Sequence, residues 1–179
     1  MTMGGVFAAN MTGNTVLAGI AVAEGHTVKA GHLLAPLLAF FFGAMLAYLL
    51  VRLWKKPAIP LLIEALLIAS VGFLPIGMEP EVLVLALAMG VQANAVTHFG
   101  GAAVSTVVVT STLARTAEAA LDLAWKPEKP APAAAPKPRL LALTWTGYLV
   151  GAVVGALLLH LMPYPLLVPA ALLVLLIFL

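Results

Sequence analysis

Seven long apolar runs, separated by short charged or Pro/Gly-containing breaks, divide this sequence. Runs of about 17 to 25 apolar residues are long enough to cross a lipid bilayer as helices. The runs cover residues 6–22, 33–54, 58–75, 81–97, 102–125, 140–160 and 164–179. The sequence therefore predicts an all-α membrane protein, in which five runs cross as full helices and the first and fifth do not.

The composition supports a membrane class and excludes a soluble one. Hydrophobic residues make up 63% of the chain and charged residues 9%, whereas roughly 25% of residues are charged in soluble domains. The net charge of +2 comes from basic residues concentrated in two breaks. This placement indicates membrane orientation, and we predict the lipid bilayer and no nucleic acid as partners.

Basic residues orient the runs. Arg52, Lys55 and Lys56 follow the second run, and four more Lys or Arg residues lie in 126–139. The positive-inside rule assigns both breaks to the cytoplasm. The break with Glu79 and Glu81 then lies outside, with Lys29 as the exception among the basic residues. We therefore expect the protein to be integral to the bacterial cytoplasmic (inner) membrane.

The first and fifth runs share an unusual pattern. Each begins with a glycine pair, at 4–5 or 100–101, and continues through small or β-branched residues to a polar triplet at 12–14 or 110–112. The pattern predicts an extended stretch followed by a short helix, which the triplet caps. The fifth run follows a run that crosses towards the cytoplasm and precedes the basic break at 126–139, so it must begin and end on the cytoplasmic side. We therefore predict that both segments are re-entrant, with protein or water covering their non-helical backbone.

The sequence also contains an apparent repeat. Residues 60–74 match residues 165–179 at seven of fifteen positions. The earlier runs pair in the same order, because Phe42-Gly43-Ala44 corresponds to Val150-Gly151-Ala152 and the two polar triplets correspond to each other. Each copy has an odd number of crossings, so the second copy is inverted. Inverted repeats build many transporters, with the substrate site where the copies meet.

The repeat predicts the domain organisation. The first repeat covers 1–77 and the second, inverted repeat covers 78–179, with a Pro/Ala cytoplasmic tether at 127–138 that we expect to be extended. The first repeat lacks a counterpart of the helix at 81–97. Three explanations fit: an earlier translation start, loss of a helix, or a homo-oligomer or larger membrane complex that covers the gap.

Four motifs then resemble one family. They are Phe-Ala-Ala-Asn-Met-Thr-Gly-Asn-Thr-Val at 7–16, Ala-Phe-Phe-Phe-Gly-Ala at 39–44, Ala-Met-Gly-Val-Gln-Ala-Asn-Ala at 88–95, and the Ser-Thr to Thr-Ser-Thr-Leu run at 105–113. On these motifs the chain resembles the YoaK-like family of small bacterial membrane proteins. Family members usually carry an extra N-terminal helix, and they usually have Thr-Gly-Thr where this chain has Thr110-Ser111-Thr112. The resemblance implies the architecture and does not imply a substrate.

Polar residues within the apolar runs are the candidate solute-binding residues. A helix that begins inside a membrane has unpaired N–H groups and a partial positive charge at its start, which attracts anionic or electron-rich groups. The alternative is that these side chains only cap helices or join them. The candidates are Asn10, Thr12, Gly13, Asn14, Gln92, Asn94, Ser105, Thr106, Thr110, Ser111 and Thr112.

Glu64 lies one turn into an otherwise apolar run. A carboxylate at membrane depth is costly, so such a residue is a functional candidate. We consider two roles for Glu64, which are coupling of transport to a proton or ion and an interfacial ion pair with Arg52 or a nearby lysine. At helical spacing, Gly43 with Ala47 and Gly151 with Gly155 predict tight helix contacts.

The sequence favours a function in transport. The four histidines have no metal-ligand spacing, the chain has no cysteine, and no nucleophile–base pair or phosphate loop is visible. We therefore predict no enzyme activity, no metal and no cofactor. The predicted function is a channel or secondary transporter for a small polar or anionic solute, bound near the membrane midplane between the re-entrant helix N-termini. The alternative is a non-transporting accessory subunit of a larger membrane assembly.

Overall fold

A computed structural model gives the fold of most of the chain. It describes residues 6–56, 58–73, 77–95, 98–99, 102–103, 117, 121 and 138–178. These residues form six α-helices and one pair of two-residue strands. The helices are α1 (Met11–Ala23), α2 (Thr27–Trp54), α3 (Ala58–Phe73), α4 (Met78–Ala95), α5 (Pro138–Leu161) and α6 (Leu167–Phe178). The predicted helical class is therefore confirmed.

The chain divides into two compact units. One unit comprises Met1–Ala95 with Leu166–Leu179, and the other comprises Val96–Pro165. This division does not follow the repeat boundary after residue 77, because α4 packs against α2 and α3, and α6 packs against α3. The two predicted repeats therefore do not form separate compact bodies, and the repeat relationship stays a prediction.

Local sequence determines both ends of α1. Asn10 is the N-cap, and its side chain accepts a hydrogen bond from the backbone N–H of Gly13. At the other end, Gly25 has a φ of +77°, a left-handed conformation that glycine adopts without a steric penalty. The N–H groups of Gly25 and His26 bond to the carbonyls of Val22 and Ala21. This Schellman motif ends α1 and leads directly into α2.

The closest helix contact joins α2 and α4. A Cβ atom placed on Gly43 would overlap the carbonyl oxygen of Leu87, and one placed on Gly90 would overlap the carbonyl oxygen of Phe40. The absence of side chains at the two glycines therefore lets the helix backbones touch, as small residues do in membrane helix pairs. The tight contact predicted at Gly43 is confirmed.

Helix α3 packs between α4 and α6. Ile68, Ala88 and Ala170 form one buried apolar cluster, to which the three helices contribute one residue each. Near the end of α3, Gly72 faces Leu166 and Leu167, which lie at the start of α6. Because Gly72 faces the start of α6 while Ile68 packs beside Ala170, α3 and α6 run antiparallel.

The second unit contains the strands and α5. Strand β1 (His98–Phe99) pairs antiparallel with β2 (Ala102–Ala103). In α5, no described atom lies within 4 Å of a Cβ built on Gly151 or Gly155. The tight contact predicted at Gly151 and Gly155 is therefore not found within the described part of the chain.

Fewer helices reach membrane length than the sequence predicts. Among the described residues, two helical stretches are long and apolar enough to cross a membrane, Thr27–Trp54 and Ala142–Leu161. Helices α3 and α6 contain 16 and 12 residues and rise about 24 and 18 Å, less than the roughly 30 Å of a hydrocarbon core. Of the five predicted full crossings, two, α2 and α5, reach membrane length among the described residues.

Candidate functional site

A cavity of about 620 Å³ lies between α1, α2 and the start of α4. Ligand sites in proteins commonly have volumes of about 300–1,000 Å³ and combine apolar walls with a few polar groups. This cavity has that character. Its lining residues are Val6, Leu17, Lys29, His32, Leu33, Ala35, Pro36, Met78, Glu79, Val82 and Leu83.

Helix α2 supplies the polar side of the cavity. Lys29, His32 and Pro36 follow one another at helical spacing, so they lie along one face of α2. Lys29 has no ion-pair partner among the described residues. No described carboxylate therefore balances its ammonium directly.

His32 and Glu79 join α2 to the first turn of α4. Nδ1 of His32 lies 3.4 Å from Oε1 of Glu79, and both side chains are more than half exposed. One turn deeper, Pro36 is buried inside α2 and lacks the N–H that would bond to the carbonyl of His32. The cavity therefore contains a cation, a carboxylate and a backbone carbonyl without its usual helical donor.

The asparagines of the first predicted binding segment have structural partners. Asn10 caps α1 through its bond to Gly13. Asn14 is fully buried, and its side chain both accepts from the N–H and donates to the carbonyl of Phe7. The helix begins at Met11, so the cap is Asn10 and not the predicted triplet Thr12-Gly13-Asn14. Thr12 is exposed on the first turn.

The two candidates on α4 differ in their contacts. Nδ2 of Asn94 donates a 2.7 Å hydrogen bond to the backbone carbonyl of Ala44 on α2. Asn94 therefore joins two helices, which is the role of many polar side chains in membrane bundles. Gln92 is half-buried. The remaining candidates, Ser105, Thr106, Thr110, Ser111 and Thr112, lie outside the described residues.

Glu64 is buried in the helix bundle. Its exposed fraction is 0%, and neither carboxylate oxygen has a hydrogen-bond partner among the described residues. The structure therefore does not show the ion pair with Arg52 or a lysine that the sequence allowed. Unpaired polar groups of this kind are rare in protein interiors and call for an explanation.

Sequence reasoning did not assign Lys29, His32 and Glu79 to a site. In the sequence, Lys29 was noted only as an exception to the positive-inside rule. Glu79 was noted only because its break lies on the outer side of the membrane. Their proximity depends on the parallel packing of α2 against α4, which no local pattern specifies. The available signal was the helical spacing of Lys29, His32 and Pro36 within an apolar run.

Comparisons with known proteins identify the family. The chain matches the family described as "Protein of unknown function (DUF1275)" over residues 1–179. It is also similar to the "UPF0700 transmembrane protein YoaK" of Bacillus subtilis (strain 168), with 32% identity over an alignment of 127 residues. The alignment covers 64% of this chain. The aligned part spans 56% of that relative's length. No solved structure matches the chain significantly.

The comparisons agree with the fold. The relative is by name a transmembrane protein, and α2 and α5 contain stretches long and apolar enough to cross a bilayer. Helix α2 exposes large apolar side chains such as Leu38, Phe41 and Phe42, which suits a lipid environment. The protein is therefore a membrane protein, and the resemblance inferred from its motifs is confirmed. With a match that extends over its whole length, the chain belongs to the DUF1275 family of proteins of unknown function.

Proposed function

We propose that the protein is a channel or secondary transporter for a small polar or anionic solute, which enters through the cavity between α1, α2 and α4. The cavity carries this proposal because it has the volume of a small-molecule site and charged groups in its lining. The proposed location is the bacterial cytoplasmic membrane.

Lys29 favours an anionic group on the solute. Glu79 lies beside His32, whereas the Lys29 ammonium has no such carboxylate among the described residues. An anion near Lys29 would form a charge-assisted hydrogen bond, which is roughly twice as strong as a neutral one. We therefore propose that Lys29 binds the negatively charged group of the solute.

The position of the cavity suits an entrance. Pro36 lies nine residues after Thr27, the first residue of α2, and therefore about 14 Å along the helix. The 28 residues of α2 extend about 42 Å, so the cavity occupies the first third of its length. We propose that the solute passes from this entrance towards the membrane midplane.

Two features of the described helices support the predicted transporter architecture. Helix α1 has 13 residues. It follows a non-helical stretch at 6–10, as expected for a re-entrant segment. Helices α3 and α6, which carry the matching sequences, pack antiparallel, which is the orientation that an inverted repeat requires.

A binding experiment tests this assignment. Purified protein in detergent would be heated with acetate, lactate, succinate, phosphate or nitrate at matched ionic strength. A solute that binds only the folded protein raises its melting temperature. We expect at least one anion to do so, and Lys29→Gln to abolish the shift while Lys56→Gln, at the other end of α2, retains it. Equal shifts in both variants, or no shift with any anion, would contradict the proposal.

One observation favours a second candidate function, an accessory subunit of a larger membrane assembly. Gly147, Gly151 and Gly155 recur every four residues on α5, and no described atom lies within 4 Å of a Cβ built on any of them. Such a face could receive a helix of another protein or of a second copy. Crosslinking in native membranes through cysteines at Gly151, with Gly31→Cys as a control, would detect that partner.

A further inference from the structure

We propose that Glu64 is a proton-binding site within the helix bundle, which takes up a proton from water and releases it as the protein changes conformation. The reaction is the reversible addition of a proton to a carboxylate oxygen, and no other bond forms or breaks. The link to conformational change rests on the proposed transport function. The site itself follows from the surroundings of Glu64.

The environment of Glu64 is apolar on its own helix. Leu61, Ala65 and Ile68 share its buried face of α3. Glu64 lies six residues after Ala58 and so about 9 Å along α3 from its start. The side chain is therefore enclosed in the bundle rather than placed at the end of the helix.

No charged group on the packed helices balances Glu64. Helix α6 contains no titratable residue. Glu79 and Glu81 of α4 occupy its first turn, at the end remote from the start of α3. Helix α2 carries Lys29, His32, Tyr48 and Arg52, and none of these four residues has a hydrogen bond or ion pair to Glu64 among the described residues. Tyr48 and Arg52, at the end of α2 nearer to the start of α3, are exposed.

These surroundings favour the protonated carboxyl. A buried carboxylate without a partner is strongly disfavoured, whereas a neutral carboxyl loses less hydration and gains an O–H donor.

A purely structural role does not explain a glutamate at this position. Among the described residues Glu64 forms no hydrogen bond or ion pair that would hold the helices together, and apolar residues of similar volume would pack as well. Exchange of a proton is the property that glutamate has and that leucine or glutamine lacks.

Infrared spectroscopy of the protein in lipid nanodiscs tests the proposal directly. A protonated carboxyl in apolar surroundings absorbs in a separate C=O region. We expect a band there that disappears reversibly as the pH rises and that is absent in Glu64→Gln. Glu81→Gln, which changes a half-buried carboxyl at the start of α4, should retain the band. A Glu64 carboxyl that keeps one protonation state over the whole pH range in which the protein stays folded would overturn the proposal.

Chemical labelling provides an independent measurement. The hydrophobic carbodiimide dicyclohexylcarbodiimide adds to protonated carboxyls, and mass spectrometry locates the N-acylurea product. We expect modification at Glu64, decreasing as the pH rises, and none at the exposed Glu24. If sodium ions suppress both labelling and the infrared band at constant pH, Glu64 binds a metal cation and the proton assignment is wrong.

Neither measurement requires a transported solute, so the two proposals can fail separately. A titrating Glu64 in a protein that moves no solute would retain the proton site and remove the transport function. If both hold, Glu64→Gln should abolish the pH dependence of uptake in proteoliposomes. Uptake by Glu64→Gln with unchanged pH dependence would show that the proton site is not coupled to transport.

Discussion

Asn14 holds the backbone of Phe7 through two hydrogen bonds. Its Oδ1 accepts from the N–H of Phe7 at 3.0 Å, and its Nδ2 donates to the carbonyl of Phe7 at 2.6 Å. One buried side chain therefore satisfies both polar groups of a residue in the non-helical stretch before α1. This contact fastens the stretch to the helix that follows it and places Val6 beside the cavity.

Loss of Asn14 should destabilise the protein. In Asn14→Ala both polar groups of the half-buried Phe7 lose their partners, and each lost hydrogen bond costs about 0.5–1.5 kcal/mol. Thermal unfolding in detergent, followed by circular dichroism, would measure the change. Thr12→Ala is the matched control, because Thr12 is exposed on the same turn and should change stability by less than about 0.5 kcal/mol. Equal stability of Asn14→Ala and Thr12→Ala would show that the two hydrogen bonds between Asn14 and Phe7 do not stabilise the protein.

The cap of α1 gives a second prediction. Asn10→Ala should lower the free energy of unfolding by about 1 kcal/mol, because the N–H of Gly13 loses its side-chain acceptor. Asn10→Asp should retain most of the stability, since aspartate is an equally good cap. The pair would be compared in the same unfolding assay. If Asn10→Ala and Asn10→Asp lose the same amount, capping is not the role of Asn10.

The contact between α2 and α4 gives a third prediction. Gly43→Ala places a methyl group against the backbone of Leu87, and overpacking of this kind costs about 1–3 kcal/mol. Gly31→Ala lies on the same helix with no atom within 4 Å, so it should be neutral or slightly stabilising. Titration with a denaturing detergent would rank the two variants. A Gly43→Ala protein as stable as Gly31→Ala would contradict the close approach of the helices.

The orientation of the protein in the membrane gives a fourth prediction. Because basic residues surround Lys56 and the tether, Lys56→Cys and Ala134→Cys should react with a membrane-impermeant maleimide only after the cytoplasmic face is opened. Met78→Cys should react from outside. Labelling of Lys56→Cys and Met78→Cys from the same side would exclude a membrane crossing by α3.

Local patterns predicted much of the fold. The apolar runs locate the ends of α2 to α4 to within six residues, because their signals are contained in short stretches of sequence, whereas the cap of α1 is Asn10 and not the predicted triplet. The contact at Gly43 was predicted for the same reason, since small residues at helical spacing indicate close packing. Gly151 and Gly155 have the same spacing without such a contact in the described residues. The spacing alone therefore does not show that a partner helix is present.

The candidate site was less predictable. Asn10 and Asn14 matched the pattern expected of solute ligands, yet their polar groups bond to nearby backbone, because short polar side chains compete for adjacent N–H and C=O groups. The cavity residues Lys29 and Glu79 are far apart in sequence, and only the packing of α2 beside α4 brings them together. Glu64 was recognised as a functional candidate because a carboxylate in an apolar run is energetically costly. Only the structure shows that it has no partner among the described residues.

Solute flux in proteoliposomes tests the central claim most directly. Uptake of labelled acetate, lactate, succinate, phosphate and nitrate would be compared for the protein, Lys29→Gln, Lys56→Gln and empty liposomes. We predict protein-dependent uptake of at least one anion, lowered roughly tenfold or more below saturation by Lys29→Gln, because a charge-assisted bond contributes about 1.5–3 kcal/mol. Lys56→Gln should retain the uptake. Uptake by the protein no faster than by empty liposomes for every anion would contradict the account.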